Sequence, residues 1–511
     1  MAKERRFAWS KWLFAIALGF ISSPSISQTA CYSALPEIAP PLLGEFPTDS
    51  DRWGAAERIW SDAARDVWAS AQRQAAAASP AADLIQGYTQ DILREAIRHD
   101  RDSLAEELAG LWMMPFGALV SRDRVIANFV NRNDRVSEVV LGRPYEMWVD
   151  REGVETTLQS ALLLAGAMDV VLATYRRPDN RRSEQLKGFA HTATRVALSH
   201  FQRWAFGPGV WQVRGWGCNG SGLTLVEFTN QRLNRLLGNR AAPFCDAPTD
   251  IDLLIAIGII DLLAVTAEAP ELVDLPENER QQLLAFVRLQ TRFFGSRLVS
   301  GKIKDLSEQF VSTVDFDPGA WTNHPDFAYA GDEGQAFPTS KPLPKNGVGW
   351  DFSHGSRIGW AIETFASNPN MVSSETDWIS ARDGFARLIA YRVAEGEPDL
   401  PLFRNFLDGS NGWYRVNYAD RMRTGTPPYG LSRSFLSTRW AALAKYDPLL
   451  SRISNGAWRL LTGATVAHCT HFKRYFVDGS YWSEARPASQ SFSGAMQSLT
   501  LLPFLAVAPV Q

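Results

Sequence analysis

The sequence predicts an all-α protein, an α/α toroid: an incomplete barrel of helical hairpins with long loops and a few short strands. Three observations carry this reading. Two segments, "SALLLAGAMDVVLA" (160–173) and "IDLLIAIGIIDLLAV" (251–265), are apolar nearly all round, as helices buried on every side are. Amphipathic stretches at 182–205 and 277–298 follow them, as outer helices returning over inner ones would. No alternating βαβ pattern, GxGxxG or P-loop occurs, which disfavours a nucleotide-binding fold. A plain helical bundle is the simpler alternative. No repeat of constant period is visible, which counts against a regular solenoid.

Taken in order, Trp53, Ala56, Trp60, Ala63, Val67, Trp68 and Ala71 form a stripe of helical period. Pro80 opens a second helix carrying Ile85, Tyr88, Ile92 and Ala96. Further helices are expected at 155–176, 182–205, 222–237, 250–268, 277–298, 355–367, 375–394, 433–446 and 448–462, with a last one near 489–504. Gly238 and Pro270 mark two of the ends. Short hairpin edges are expected at 139–149 and 413–418. The stretch from Thr313 to Gly349 has no helical period and is rich in aromatic residues. Loops of this length inside a compact domain are usually functional. No linker stands out, so residues 28–511 read as one domain, with 28–150 as an N-terminal helical extension.

The N-terminus reads as a secretory signal over residues 1–27. Lys3, Arg5, Arg6 and Lys11 precede and flank a short apolar run, and small residues follow near Ser25 and Ser27. The run is short for a membrane span, which needs about 20 residues; an uncleaved anchor is the competing reading. Cleavage removes four basic residues and one acid, so the net charge falls from −3 to −6. That balance excludes a globally basic nucleic-acid binder. It leaves a periplasmic or secreted bacterial protein with no membrane span after processing. Of the 18 Trp, two lie in the signal; indoles stack on sugar rings but also fill helix interfaces. Cys31, Cys218, Cys245 and Cys469 allow three pairings, of which Cys218–Cys245 closes the shortest loop. No metal site and no cofactor is expected, since there is no CxxC or paired-ligand spacing.

Four stretches have side chains suited to chemistry. "GVGWDFSHGSRIGWA" (347–361) places Trp350, Asp351, His354 and Arg357 at a helix start. Asp351 or Ser353 suits the cap, and His354 and Arg357 share a face. The helix dipole there disfavours imidazolium, and a neutral imidazole is what a general base requires. A cap with a packed histidine is the competing reading. "NHPDFAYAG" (323–331) offers His324, Asp326 and Tyr329 on a turn-rich loop, or merely an Asx turn. "GVWQVRGWGCNGSG" (209–222) sets Trp216 and Asn219 before a helix. Residues 412–440 hold Arg415, Arg421, Arg423, Arg433 and Arg439 against Asp420 alone, with Tyr429 as a phenol acid. Such an excess suits anions, since guanidinium forks match carboxylates, unless these arginines pair with acids elsewhere.

"WDFSHGSRIGWA", "NHPDFAYAG" and "RWAALAKYDPLL" resemble segments of bacterial secreted α/α-toroid proteins. That superfamily includes polysaccharide lyases of the alginate and chondroitin type and toroid glycosidases. The resemblance covers mainly residues 320–460 and lacks the Asn-Asn-His run of alginate lyases. It implies a β-elimination in which Asn219 and Arg357 neutralise a uronate carboxylate, His354 takes the C5 proton and Tyr429 protonates the leaving oxygen. Asp351 is a further catalytic candidate. Trp216, Trp350, His324, Asp326, Tyr329, Arg415, Arg423 and Arg433 would bind an anionic poly- or oligosaccharide. A glycoside hydrolase on the same scaffold is the alternative, followed by a non-catalytic sugar-binding protein of the cell envelope.

Overall fold

The computed structural model describes residues 49–66, 68–69, 90–125, 139–149, 155–211, 218, 220–239, 241–417, 423–437, 439–462 and 465–483. The signal segment and the helix expected near 489–504 lie outside them. The chain is predominantly helical. Its helices are α1 (Asp49–Ile59), α2 (Gln90–Arg98), α3 (Asp102–Met113), α4 (Thr157–Tyr175), α5 (Glu184–Phe206), α6 (Leu225–Leu233), α7 (Asp250–Glu268), α8 (Glu277–Gly295), α9 (Phe352–Ser367), α10 (Trp378–Leu388), α11 (Pro448–Thr462) and α12 (Val466–Phe472).

The two all-apolar segments are α4 and α7, and they pack against each other. Every residue of α7 from Ile251 to Val265 is buried. Gly258 sits in the middle of α7, where the Phe201 ring of α5 occupies the space a Cβ would need. That close approach explains a glycine inside a helix, where it otherwise costs about 1 kcal/mol against alanine. Helix α4 is long and apolar enough to cross a membrane, but it is enclosed by its neighbours. It packs on α2, α5 and α7, while α7 also packs on α8 and α9. One continuous apolar core runs from Trp53 to Phe476.

Helix ends follow local chemistry. Ser183 caps α5, and Thr224 with Glu227 forms a capping box on α6. The helix expected over 433–446 is broken into Ser434–Ser437 and a 3₁₀ segment, Arg439–Tyr446.

Two strand expectations met different fates. Strand β1 (Val120–Val125) pairs antiparallel with β2 (Val139–Met147), so the 139–149 edge is real. Residues 413–417, the described part of the expected 413–418 edge, do not form a strand. Arg415 and Asn417 have φ of 53° and 56°, which breaks an extended run, and only Tyr414 bridges to Thr426. A hairpin absent from the sequence expectation joins β3 (Leu298–Lys304) to β4 (Phe310–Phe316). Its turn is tied by Asp305 Oδ1, which accepts from Ser307 and Gln309 N–H at 2.8 and 2.9 Å.

Cys218 and Cys245 form a disulfide spanning 27 residues, the shortest-loop pairing. Cys469 is disulfide-bonded as well. Closing a loop of that length restricts the unfolded chain by about 3–4 kcal/mol in the chain-entropy account. Replacing Cys218 and Cys245 by serine is therefore expected to lower the melting temperature, read by circular dichroism; an unchanged melt would mean the bond adds no stability.

Candidate functional site

The site begins where the long loop meets α9. Asp351 is extended (φ −74°, ψ 154°), and its side chain accepts from the N–H groups of Ser353 and His354 at 3.1 and 3.2 Å. The Ser353 hydroxyl also donates to it. The backbone is fixed from behind, since Phe352 N–H donates to Asn405 and Leu407 N–H donates to Trp350. His354 Nδ1 then lies 2.9 and 2.8 Å from the two Asp351 oxygens. Burial pushes the Asp351 carboxyl up, but His354, Arg415 and Ser353 outweigh it and hold Asp351 well below the usual carboxylate range. A carboxylate on Nδ1 fixes the ring and leaves Nε2 facing the opposite way.

What Nε2 faces is Asp250, the first residue of α7, whose Oδ2 is 3.8 Å away. The same oxygen accepts from Arg357 Nη1, one turn further along α9. The side chains of His354 and Arg357 are each 22% exposed. Among the described residues, Arg357 Nε and Nη2 have no hydrogen-bond partner. The start of α7 is anchored by other residues: Thr249 and Asp252 form its capping box. Asp252 takes two bonds of 2.7 Å from the fully buried Arg232, whose guanidinium lies over Phe228 and Phe293.

Arg415 closes the other side. Its left-handed backbone lets its N–H donate to the Asp326 carbonyl at 2.9 Å while Nε donates to Asp326 Oδ2 at 3.1 Å. Burial would lower its pKa, but Tyr414, Asp326 and Asp351 raise it above the usual arginine value. Asp326 N–H donates to His324 Nδ1 at 3.2 Å. His324 and Trp350 are each 2% exposed, packed with Trp321, Phe244 and Phe316. They support the loop from within and offer no open face for a sugar ring to stack on.

Thus Trp350, Asp351, His354, Arg357, His324, Asp326 and Arg415 belong to one connected constellation. The other candidates have different partners or lie outside the described residues. Tyr429 donates to Glu395 at 2.9 Å, sharing that carboxylate with Arg404, and burial and Glu395 push its phenol up to about 12. Tyr329 reaches the Ser340 carbonyl at 3.5 Å. Arg423 lies over the Phe337 and Trp482 rings. Arg433 is half-buried in the 3₁₀ turn Gly430–Arg433. Trp216 and Asn219 lie outside the described residues. Among the described arginines of 412–440, Arg415 and Arg439 pair with acids distant in the chain; Arg421 lies outside the described residues.

A second charged cluster, not legible in the sequence, lies between α2, α4, α7 and the 439–446 segment. Arg94 pairs with Asp91, Glu95 and Asp169 at 3.0, 2.7 and 2.8 Å. Arg439 joins Asp91 and Asp169 at 3.0 and 3.4 Å and covers the Trp360 ring. Asp261 is 5% exposed and, among the described residues, makes no hydrogen bond or ion pair. Burial raises Asp261 well above its ordinary value, with Asp169 adding to it, and raises Asp91 to about 7 against the opposing Arg94 charge.

A surface cavity of about 310 Å³ lies between Asp399, Arg452, Asn455 and Arg459 and shares no residue with either cluster. Among the described residues, no group of three or more His, Cys, Asp or Glu is arranged to hold a metal ion. Compared with known proteins, the chain matches no protein-family model, no curated protein and no solved structure.

Proposed function

We propose that the protein is an exported polysaccharide lyase that cleaves a uronate polymer by β-elimination on an α/α-toroid scaffold. The observation that carries this is the His354 imidazole, gripped by Asp351 at Nδ1, with Nε2 on the same partly open helix face as Arg357. The toroid reading is supported by the order of the helices. Asp250 meets His354 and Arg357 at the starts of α7 and α9, so these two run side by side in one direction. Helices α5, α8 and α10 each follow one of α4, α7 and α9 in the chain and pack against it or its neighbour. Arg439 links the C-terminal segment back to α2 and α4.

In this reading the uronate carboxylate meets the Arg357 guanidinium, with the Arg415 charge behind. Neutralising that carboxylate acidifies the C5 proton, and stabilising the enolate-like charge is the large term. His354 Nε2 takes the C5 proton. The C4–O bond then breaks as the C4–C5 double bond forms, and the imidazolium returns the proton to the leaving oxygen. Tyr429 has no part in this version, because its hydroxyl is spent on Glu395. The test is incubation of the purified protein with alginate, chondroitin and pectin while following absorbance of the unsaturated product. Absorbance growth on at least one polymer is expected; none on any would remove the lyase reading.

A hydrolase has one observation in its favour. Burial pushes Asp261 and Asp91 up, with Asp169 adding to it, and a carboxyl kept protonated is what a general acid requires. This version expects reducing ends without new absorbance, abolished by Asp261→Asn.

A further inference from the structure

The charges of the His354 site pose a difficulty that Asp250 resolves. Three carboxylates (Asp250, Asp326 and Asp351) face two guanidiniums and one imidazole. Among the described residues, both guanidiniums of a site meant for an acidic ligand are thus already matched by carboxylates of the chain itself. We infer that Asp250 is an internal occupant of the anion subsite formed by His354 and Arg357, whose place a ligand carboxylate takes. This inference rests on the uronate reading above and names the residue that sets affinity for the acidic group.

Four observations converge on Asp250. The capping box of α7 is made by Thr249 and Asp252 without it. Its side-chain partners among the described residues are Arg357 and His354, both on α9. Its contact with His354 Nε2 is 3.8 Å, too long for a hydrogen bond, so the imidazole edge is approached but not satisfied. Its other oxygen, Oδ1, is buried without a hydrogen-bond partner. Buried carboxylate oxygens are normally paired, so Asp250 is held by one strong contact and is poorly satisfied elsewhere. Rotation about its own side-chain bonds exchanges it for an incoming carboxylate, which reaches the same guanidinium from the partly open side and leaves His354 Nε2 free for the C5 proton.

A purely structural ion pair between α7 and α9 makes the opposite forecast. Removing the charge of a structural pair weakens the site, whereas removing an occupant frees it. The experiment is isothermal titration of short oligogalacturonate, oligoguluronate and chondroitin fragments, with a neutral galactan oligomer as control, into the wild type, Asp250→Asn and Asp250→Ser. Melting curves establish that both variants are folded. The inference expects at least one acidic oligomer to bind either folded variant roughly tenfold more tightly, as relief of like-charge repulsion allows, with the neutral oligomer unchanged. Equal or weaker acidic binding by both variants, with measurable binding to the wild type, overturns the role of Asp250 and leaves the uronate reading standing. No acidic oligomer bound by any of the three proteins overturns the uronate reading and this inference together.

Discussion

Arg232→Ala is expected to destabilise the fold by about 3–5 kcal/mol, the range for breaking a buried ion pair from one side. Arg232 is fully buried and gives Asp252 two bonds of 2.7 Å. It also donates to the Ala247 carbonyl at 3.2 Å and lies over two aromatic rings. Alanine would leave the Asp252 carboxylate buried against an empty space. Asp252 is half of the capping box that starts α7, and Asp250 stands two residues before it. The loss therefore reaches the candidate site as well as the core. Arg232→Lys restores little, because an ammonium is a point charge and cannot match the paired bonds of a guanidinium. Urea unfolding followed by tryptophan fluorescence measures this. A change below about 1 kcal/mol would mean the pair adds little beyond what water supplies.

Asp261→Asn is expected to raise stability, and to do so more strongly at higher pH. Asp261 is buried between helices without a hydrogen bond among the described residues, and burial raises its pKa well above the ordinary value. The folded state thus keeps a proton that the unfolded chain releases. The stability this gives is complete below the ordinary carboxylate pKa and is lost as pH rises toward the raised folded value. Asn keeps the shape and cannot ionise, so its advantage over the wild type grows through that window. Asp91, raised to about 7 in the same cluster, is present in both proteins and cancels to first order. Melting temperatures of both proteins at about pH 5 and about pH 8 make the comparison. An equal difference at both pH values would show that Asp261 does not ionise between them.

The sequence makes local physics visible and hides whatever depends on distant pairing. Helices α4 and α7 are legible because no polar face interrupts them. The cap at Asp351 is legible because Asp before a helical run has a specific job. The β3–β4 hairpin was hidden because "LVSGKIK" continues a helical stretch and "FVSTVDF" opens an irregular loop, so neither strand stands alone. Asp250 was hidden by its setting. "TDID" reads as a capping box, and nothing local says that Asp252 serves the cap while Asp250 turns to α9. The Asp91, Asp169 and Asp261 carboxylates lie on three helices separated by 78 and 92 residues, and each alone looks like an ordinary polar position. The fate of the 412–440 arginines was equally hidden, since Arg415 and Arg439 find acids 89 and 270 residues away.

The proton-abstracting role of His354 is tested most directly by comparing the wild type with His354→Ala on whichever uronate polymer yields unsaturated product. Loss of a positioned base costs roughly 10²–10⁴-fold in rate, and the account expects His354→Ala to fall by that amount while retaining the wild-type fold by circular dichroism. A folded His354→Ala that forms the unsaturated product at the wild-type rate would contradict it.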